Sequence, residues 1–411
     1  MPTKVLDLEL SEPIAPIWAG EEFDSFWIFV RDRGQLVGRV RLSADQSNFP
    51  VLSSDRIQHA ILEQLGQNIL QMATQQQLTE PTPPVQEPIS VVVCTRNRTG
   101  QLKRCLRSLT ALDYPTYEVI VVDNAPSDDS TYQLVKELPV RYVREDRPGL
   151  DWARNRGLTE ARYGIVAFTD DDVQVDRHWL SAIATAFTNP EVMAVSGYVA
   201  PAELETLPQF LFEFDYGGMG HGLHRRLIRR DLLSDRQLLW SSSFGIGANM
   251  AFRRDLFTRI APFDPALDVG TPSGGAGDVE LFHRLVAQGY TMLYEPNMLV
   301  WHTHRRYFSG LKQQIYDNGR SFGCYLLTCF REGTVSWLAI VYFFLWDWLC
   351  KWILVRLVRP PRRLPRGLVL TELAGMLSSP FAYLATQARA RQVARLSQVP
   401  ETAASTIQVA S

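Results

Sequence analysis

Gly164-Ile165-Val166-Ala167-Phe168-Thr169-Asp170-Asp171-Asp172 joins a short apolar run to three successive carboxylates. A continuous apolar run of this length fits a strand buried on both faces, as in a parallel sheet. In open α/β sheets ligands gather beyond the carboxyl ends of the strands, where these acids would stand. Grouped carboxylates suit Mg²⁺ or Mn²⁺, which prefer oxygen ligands and leave positions open for substrate phosphates. The bland alternative is a solvated acidic turn leading into a helix near Arg177, with Asp176 as its N-cap. A Ca²⁺ loop of the EF-hand kind does not fit, because counting from Asp170 puts Val175 and Ser181 where Gly and Glu are needed.

Upstream, the same signature repeats. Ile89-Ser90-Val91-Val92-Val93-Cys94 reads as a buried strand with the loop Thr95 to Thr99 at its carboxyl end. The next helix carries Leu102, Cys105, Leu106 and Leu109 on one face. Tyr117 to Val122 is a second strand, ending in Asp123-Asn124; a helix starts near Ser130, and Val140 to Val143 is a third, shorter strand. Such alternation implies right-handed crossovers and a parallel sheet. Thr95, Asp123 and Asp170 to Asp172 would then open on one edge. The loop Thr95 to Thr99 has no glycine, which argues against a sugar-phosphate nucleotidyltransferase with its glycine-rich phosphate loop.

From about Ile89 to Arg306 the chain resembles the inverting glycosyltransferases of family 2, which have the GT-A fold. The resemblance is carried, in the family's order, by Val91 to Arg98, Val121-Val122-Asp123-Asn124, Gly149-Leu150-Asp151-Trp152-Ala153-Arg154-Asn155-Arg156-Gly157, Thr169 to Asp172, Gly275-Ala276-Gly277-Asp278-Val279-Glu280-Leu281 and Val300-Trp301-His302. It implies a nucleotide-diphospho-sugar donor whose base is read by Asp123, with Thr95 and Arg98 lining the same pocket. Asp170, Asp171 and Asp172 match the DxD region; Asp170 would face ribose or sugar hydroxyls, and Asp172 would bind the metal, with His302 completing the site ahead of His304. Arg154 would lie near the diphosphate, and small residues around Gly247 would let backbone approach the sugar. Asp278 matches the catalytic base, the carboxylate that takes the acceptor hydroxyl's proton. The family commonly has Glu just before this Asp, and this chain has Gly277. That departure keeps open a catalytically silent sugar-nucleotide sensor or scaffold. For Asp278 the structural alternative is the N-cap of a helix Val279 to Gln288, a role compatible with catalysis. No tryptophan follows an arginine, so the QxxRW element of processive relatives is absent and a single transfer is expected.

The 411 residues, 46% hydrophobic and 21% charged, allow two to three globular domains. A net charge of −2 argues against nucleic acid as a partner. The five cysteines form no paired metal motif and fit a reduced compartment. The expected organisation is a small α+β module (1–75, with a hairpin around Asp32-Arg33-Gly34 and a helix Asp55 to Met72), a proline-rich linker (76–88), an α/β GT-A domain with a mixed sheet (89–310), a helical membrane-associating segment (311–390) and a polar, disordered tail (391–411). Val335 to Val355 is long enough to span a bilayer, but Asp347 and Lys351 interrupt it; a second apolar stretch runs from Leu368 to Ala385. Spanning would put the arginine-rich loop between them in the cytoplasm and the catalytic domain outside, away from sugar nucleotides. Monotopic attachment to the cytoplasmic face avoids that conflict, with a buried helical pair as the alternative. The whole implies sugar transfer with inversion from a nucleotide donor to a hydroxyl acceptor on a glycan, a lipid carrier or a small molecule.

Overall fold

The computed structural model describes residues 2–18, 22–43, 51–78, 86–361 and 363–396. Most of the expected linker 76–88 and of the polar tail 391–411 lies outside them. The strands are β1 (Thr3–Glu9), β2 (Ile17–Trp18), β3 (Ser25–Asp32), β4 (Gln35–Ser43), β5 (Val51–Leu52), β6 (Ile89–Thr95), β7 (Tyr117–Asn124), β8 (Arg141–Glu145), β9 (Ile165–Asp170), β10 (Val173–Val175), β11 (Val192–Pro201), β12 (Arg226–Ile228), β13 (Asn249–Arg253) and β14 (Thr291–His302).

Nine strands form one sheet in the order β10-β14-β11-β13-β9-β6-β7-β8, with β12 on β14. Strands β8, β7, β6 and β9 are parallel, as the alternating pattern requires. The sheet is mixed because β13 runs antiparallel between β9 and β11. Strand β6 shows why the run had to be continuously apolar. Val91 and Val93 pack with Leu102, Cys105, Leu106 and Leu109 of the helix Thr99–Leu109 on one side, while Val92 and Cys94 pack into the core on the other.

The N-terminal sheet, β1-β3-β4, is fused to this body by strand alternation. Phe26, Ile28 and Val30 of β3 face the helix Ser54–Leu78, whereas Trp27 and Phe29 point into the core of the large sheet. Burying each such side chain contributes roughly 1.5–3 kcal/mol, so the module is held by its own strand rather than merely appended. The hairpin turn falls on Arg33 (φ 50°) and Gly34 (φ 75°), the left-handed pair that a two-residue loop favours. Arg31 then donates to both Asp7 (2.7 Å) and Asp176 (2.6 Å). The alternative of Asp176 as an N-cap does not hold: the helix is Trp179–Ala186, its cap residue is His178, and Asp176 anchors the N-terminal sheet.

At the other end, the helix Phe308–Glu332 packs along Arg366–Leu396. Their backbones meet at glycines: a Cβ at Gly319 would lie 2.1 Å from the Glu372 carbonyl oxygen, and one at Gly375 would lie 2.0 Å from that of Tyr316. Between them, Trp337–Tyr342 continues through a π-helical stretch, Phe343–Leu354, into Val355–Val358. Asp347 is turned inward, where Arg236 donates to both of its oxygens (2.6 and 2.5 Å) and Lys351 lies at 3.4 Å. The charge that interrupts the apolar run therefore faces protein. Leu338, Val341, Tyr342, Leu345 and Trp346 of this segment, with Leu377, Phe381 and Leu384 of the last helix, remain exposed.

Candidate functional site

Register brings the first group of side chains together. Thr95 pairs with Asp123, and Cys94 with Asp170, so the ends of β7, β6 and β9 form one row. Asp123 is fully buried; its Oδ2 accepts from the Tyr142 hydroxyl at 3.0 Å, and its Oδ1 has no partner. Burial raises its pKa, opposed by the Tyr142 hydrogen bond. An unpartnered acceptor at a strand end can receive an N–H from a ligand.

The three acids after β9 diverge. Asp171 is turned inward, accepting from Thr95 Oγ1 at 2.7 Å and Arg98 Nη1 at 3.2 Å, so both of its oxygens are engaged within the protein. It ties Thr95 and Arg98 to the turn. Asp170 faces Arg154, whose Nη2 is 3.7 Å away. Burial lifts its pKa to about 7 against the pull of Arg154. Asp172 reaches toward His302, because β10 and β14 pair Val173 with His302. Asp172 Oδ1 lies 3.5 Å from His302 Nε2, and its Oδ2 lies 3.5 Å from Arg98. His302 is held neutral by burial, its pKa lowered to about 4. A carboxylate oxygen and a neutral imidazole nitrogen at this separation are a chemically suitable donor pair for one divalent ion. Among the described residues no group of three or more His, Cys, Asp or Glu side chains forms a complete cage, and the rest of the coordination shell would fall to phosphate and water.

Arg154 connects this edge to a cavity of about 620 Å³ whose wall includes Asp170, Arg154, Gly247 and Asp278, and whose far side carries Tyr216, Trp240, Phe322, Trp348 and Trp352. Asp278 Oδ2 accepts the Gly247 N–H at 2.6 Å, and Oδ1 accepts the Val279 N–H at 2.9 Å. The helix is Gly277–Ala287 with Ala276 (φ 82°) as cap residue, so Asp278 lies within the first turn and not at the N-cap that was its structural alternative. Gly247 is required by space: a Cβ there would lie 2.6 Å from Arg154 Nη2 and 2.9 Å from Asp278 Oδ2.

Gly277 has a similar explanation. A Cβ at 277 would stand 1.9 Å from Asp151 Oδ2 and 3.0 Å from the Leu267 carbonyl oxygen, so a Glu at this position would require Asp151 to move. Asp151, quoted above only as part of a motif, accepts from Arg154 Nη1 at 3.0 Å and lies against Asp268. Burial and mutual repulsion drive the Asp151 pKa well up, and burial lifts that of Asp268 to about 7. At neutral pH this pair therefore retains a proton beside Asp278. Sequence reading assigned nothing to Asp151, Asp268, Tyr142 or Glu213; their roles come from contacts between distant segments.

Residues 90–261 match the family model described as Glycosyl transferase family 2. Glycosyltransferase AglE of Haloferax volcanii is 26% identical over 292 residues, which cover 68% of this chain and 84% of that protein. Glucosyl-dolichyl phosphate glucuronosyltransferase of the same organism is 27% identical over 202 residues, covering 46% of this chain and 58% of the relative. Among solved structures, a mannosyltransferase from Pyrobaculum calidifontis in complex with GDP-Man and Mn²⁺ aligns with a TM-score of 0.45 and 18% identity over 83% of this chain and 86% of that one.

Proposed function

Because residues 90–261 are a domain of glycosyl transferase family 2, we propose that this chain moves one sugar per encounter from a nucleoside-diphosphate donor to an acceptor hydroxyl, with inversion at the anomeric carbon. The observation that carries the reading is the linkage of the acidic turn to Asp278 through Arg154 and Gly247 in a single cavity.

Asp123 receives the imino hydrogen of the base with its free Oδ1, and Tyr142 holds the other oxygen. Thr95 and Arg98, braced by Asp171, line the same pocket. Asp170 binds ribose or sugar hydroxyls. Asp172 and His302 would hold Mg²⁺ or Mn²⁺, which when bound stabilises charge on the departing diphosphate. Arg154 adds a fixed cation near the same oxygens. The acceptor oxygen forms its bond to the anomeric carbon as the bond to the diphosphate breaks; Asp278 takes the hydroxyl proton, and the pair goes out with the nucleoside diphosphate. The Gly247 and Val279 N–H groups aim the Asp278 carboxylate, which general base catalysis requires.

The silent-sensor alternative was motivated by Gly277, and the seating of Asp151 against that residue supplies another reason for the glycine. A lipid-linked hydroxyl is the acceptor class we place first. It is supported by the exposed apolar face of the two C-terminal helices and by a relative whose name includes glucosyl-dolichyl phosphate. The same face supports monotopic attachment on the cytoplasmic side of a membrane, where sugar nucleotides are made.

The test is Asp278→Asn with a panel of sugar nucleotides. Transfer should fall by about 10²–10⁴-fold, while nucleotide-dependent thermal stabilisation in Mn²⁺ persists and chelator removes parent activity. Full activity in the variant excludes the base, and retention of configuration in the parent product excludes inversion.

A further inference from the structure

The metal reading uses Asp172 and His302 but leaves unused the groups behind the imidazole. His302 Nδ1 lies 3.1 Å from His304 Nδ1, and His304 Nε2 lies 3.0 Å from Glu213 Oε2. Both outer side chains are buried, at 1% and 4% exposure. Glu213 comes from a π-helical turn, Leu211–Tyr216, far away in sequence. The ring of His304 stands edge-on to Phe212 at 5.0 Å, and its carbonyl oxygen accepts from Gln209, so neither ring nor backbone is free to turn.

Two nitrogens in contact need one hydrogen between them, and this requirement propagates along the chain. The Glu213 carboxylate is an acceptor, so His304 Nε2 carries the hydrogen it receives. For His302 to offer a lone pair at Nε2, its one hydrogen must sit on Nδ1 and be donated to His304 Nδ1, the nitrogen of that ring turned away from Glu213. Nε2 is the nitrogen of His302 that faces Asp172. In the opposite arrangement an N–H at Nε2 would point at Asp172 Oδ1 over 3.5 Å, beyond the usual 2.7–3.2 Å of such a bond.

We propose that Glu213 and His304 are positioning residues that fix the tautomer and ring orientation of His302, so that its Nε2 lone pair is offered to a divalent cation together with Asp172. This rests on the metal reading above. Hydrogen-bonded partners behind a ligating histidine commonly account for 10- to 100-fold in metal affinity.

The test measures Mn²⁺ alone. Titration followed by the electron paramagnetic resonance of free Mn²⁺ should show binding weakened about 10- to 100-fold in Glu213→Leu and in His304→Phe. Glu213→Gln, whose amide oxygen still accepts from His304, should restore it. Nitrogen-15 spectra of the metal-free parent should show His302 protonated at Nδ1, and Glu213→Leu should mix the two tautomers. Denaturation midpoints of Glu213→Gln and parent should coincide, which separates positioning from folding. A parent that binds Mn²⁺ while Glu213→Leu binds it equally overturns this inference alone. A parent with its hydrogen on Nε2 does the same. A parent that binds no Mn²⁺ overturns the metal reading, and this inference with it.

Discussion

The proposed donor side and the cavity on the proposed acceptor side are built differently. The donor side is a row of strand ends, β7, β6 and β9, closed by the β10–β14 pairing, and each side chain sits where strand register puts it. The acceptor side is assembled from the helix starts at Leu150 and Gly277, the loop residues Gly247 and Asp268, and aromatic rings of the C-terminal helices. The first tolerates little variation in spacing because hydrogen-bonded strands set it. The second depends on which distant groups happen to fill one space, and so a glycine at 277 can be matched by an aspartate at 151.

That contrast predicts different failures on the two sides. Asp123→Ala should weaken nucleotide binding by about 10- to 100-fold, as expected for losing a hydrogen bond to a charged group worth roughly 1.5–3 kcal/mol, with kcat little changed. Asp278→Asn should do the reverse, and calorimetric titration alongside turnover would show it. If both variants lost nucleotide affinity alike, the division into two sides would be wrong.

Gly277→Glu, which restores the residue usual in relatives, should destabilise the fold by about 1–3 kcal/mol through overpacking, more if its charge stays buried against Asp151. Adding Asp151→Gly should recover most of the loss in urea denaturation. Additive losses would mean that the two positions do not share a space.

Arg236→Leu leaves Asp347 with only Lys351 and should lower the denaturation midpoint, by less than loss of a fully buried pair would because Arg236 is partly exposed. Chemical denaturation measures the shift.

A further effect concerns pH. The folded-state pKa of Asp268, about 7, lies above its unfolded value, so the folded protein keeps a proton that the unfolded chain releases. Stability present below pH 4 is therefore lost as pH rises toward 7. Asp268→Asn should flatten that slope and be more stable than the parent at pH 8; a parallel pH profile in the variant would refute the assignment.

The order of strands and helices from Ile89 to Asp170 was readable because a strand covered on both faces must be continuously apolar, and a helix covered on one must repeat at 3.6 residues. The helix Thr99–Leu109 buries the four residues its spacing selects. The tail was less legible. Apolar content alone cannot separate a membrane face from a packed face, and the close approach of Gly319 to Glu372, of Gly375 to Tyr316 and of Gly323 to Ser379 is what distinguishes them. The signal was present as small residues spaced four apart.

By itself, the amino-acid order determined the parallel half of the sheet and the edge on which Thr95, Asp123 and Asp170 to Asp172 stand, because strand ends inherit their neighbours from local pattern and connection rules. Tertiary structure alone decided that Asp171 braces Thr95 and Arg98, that Asp151 fills the space beside Gly277, and that Glu213 stands behind His304. Those facts depend on which buried polar groups, far apart in the chain, must satisfy one another once water is gone, and no local pattern records that choice.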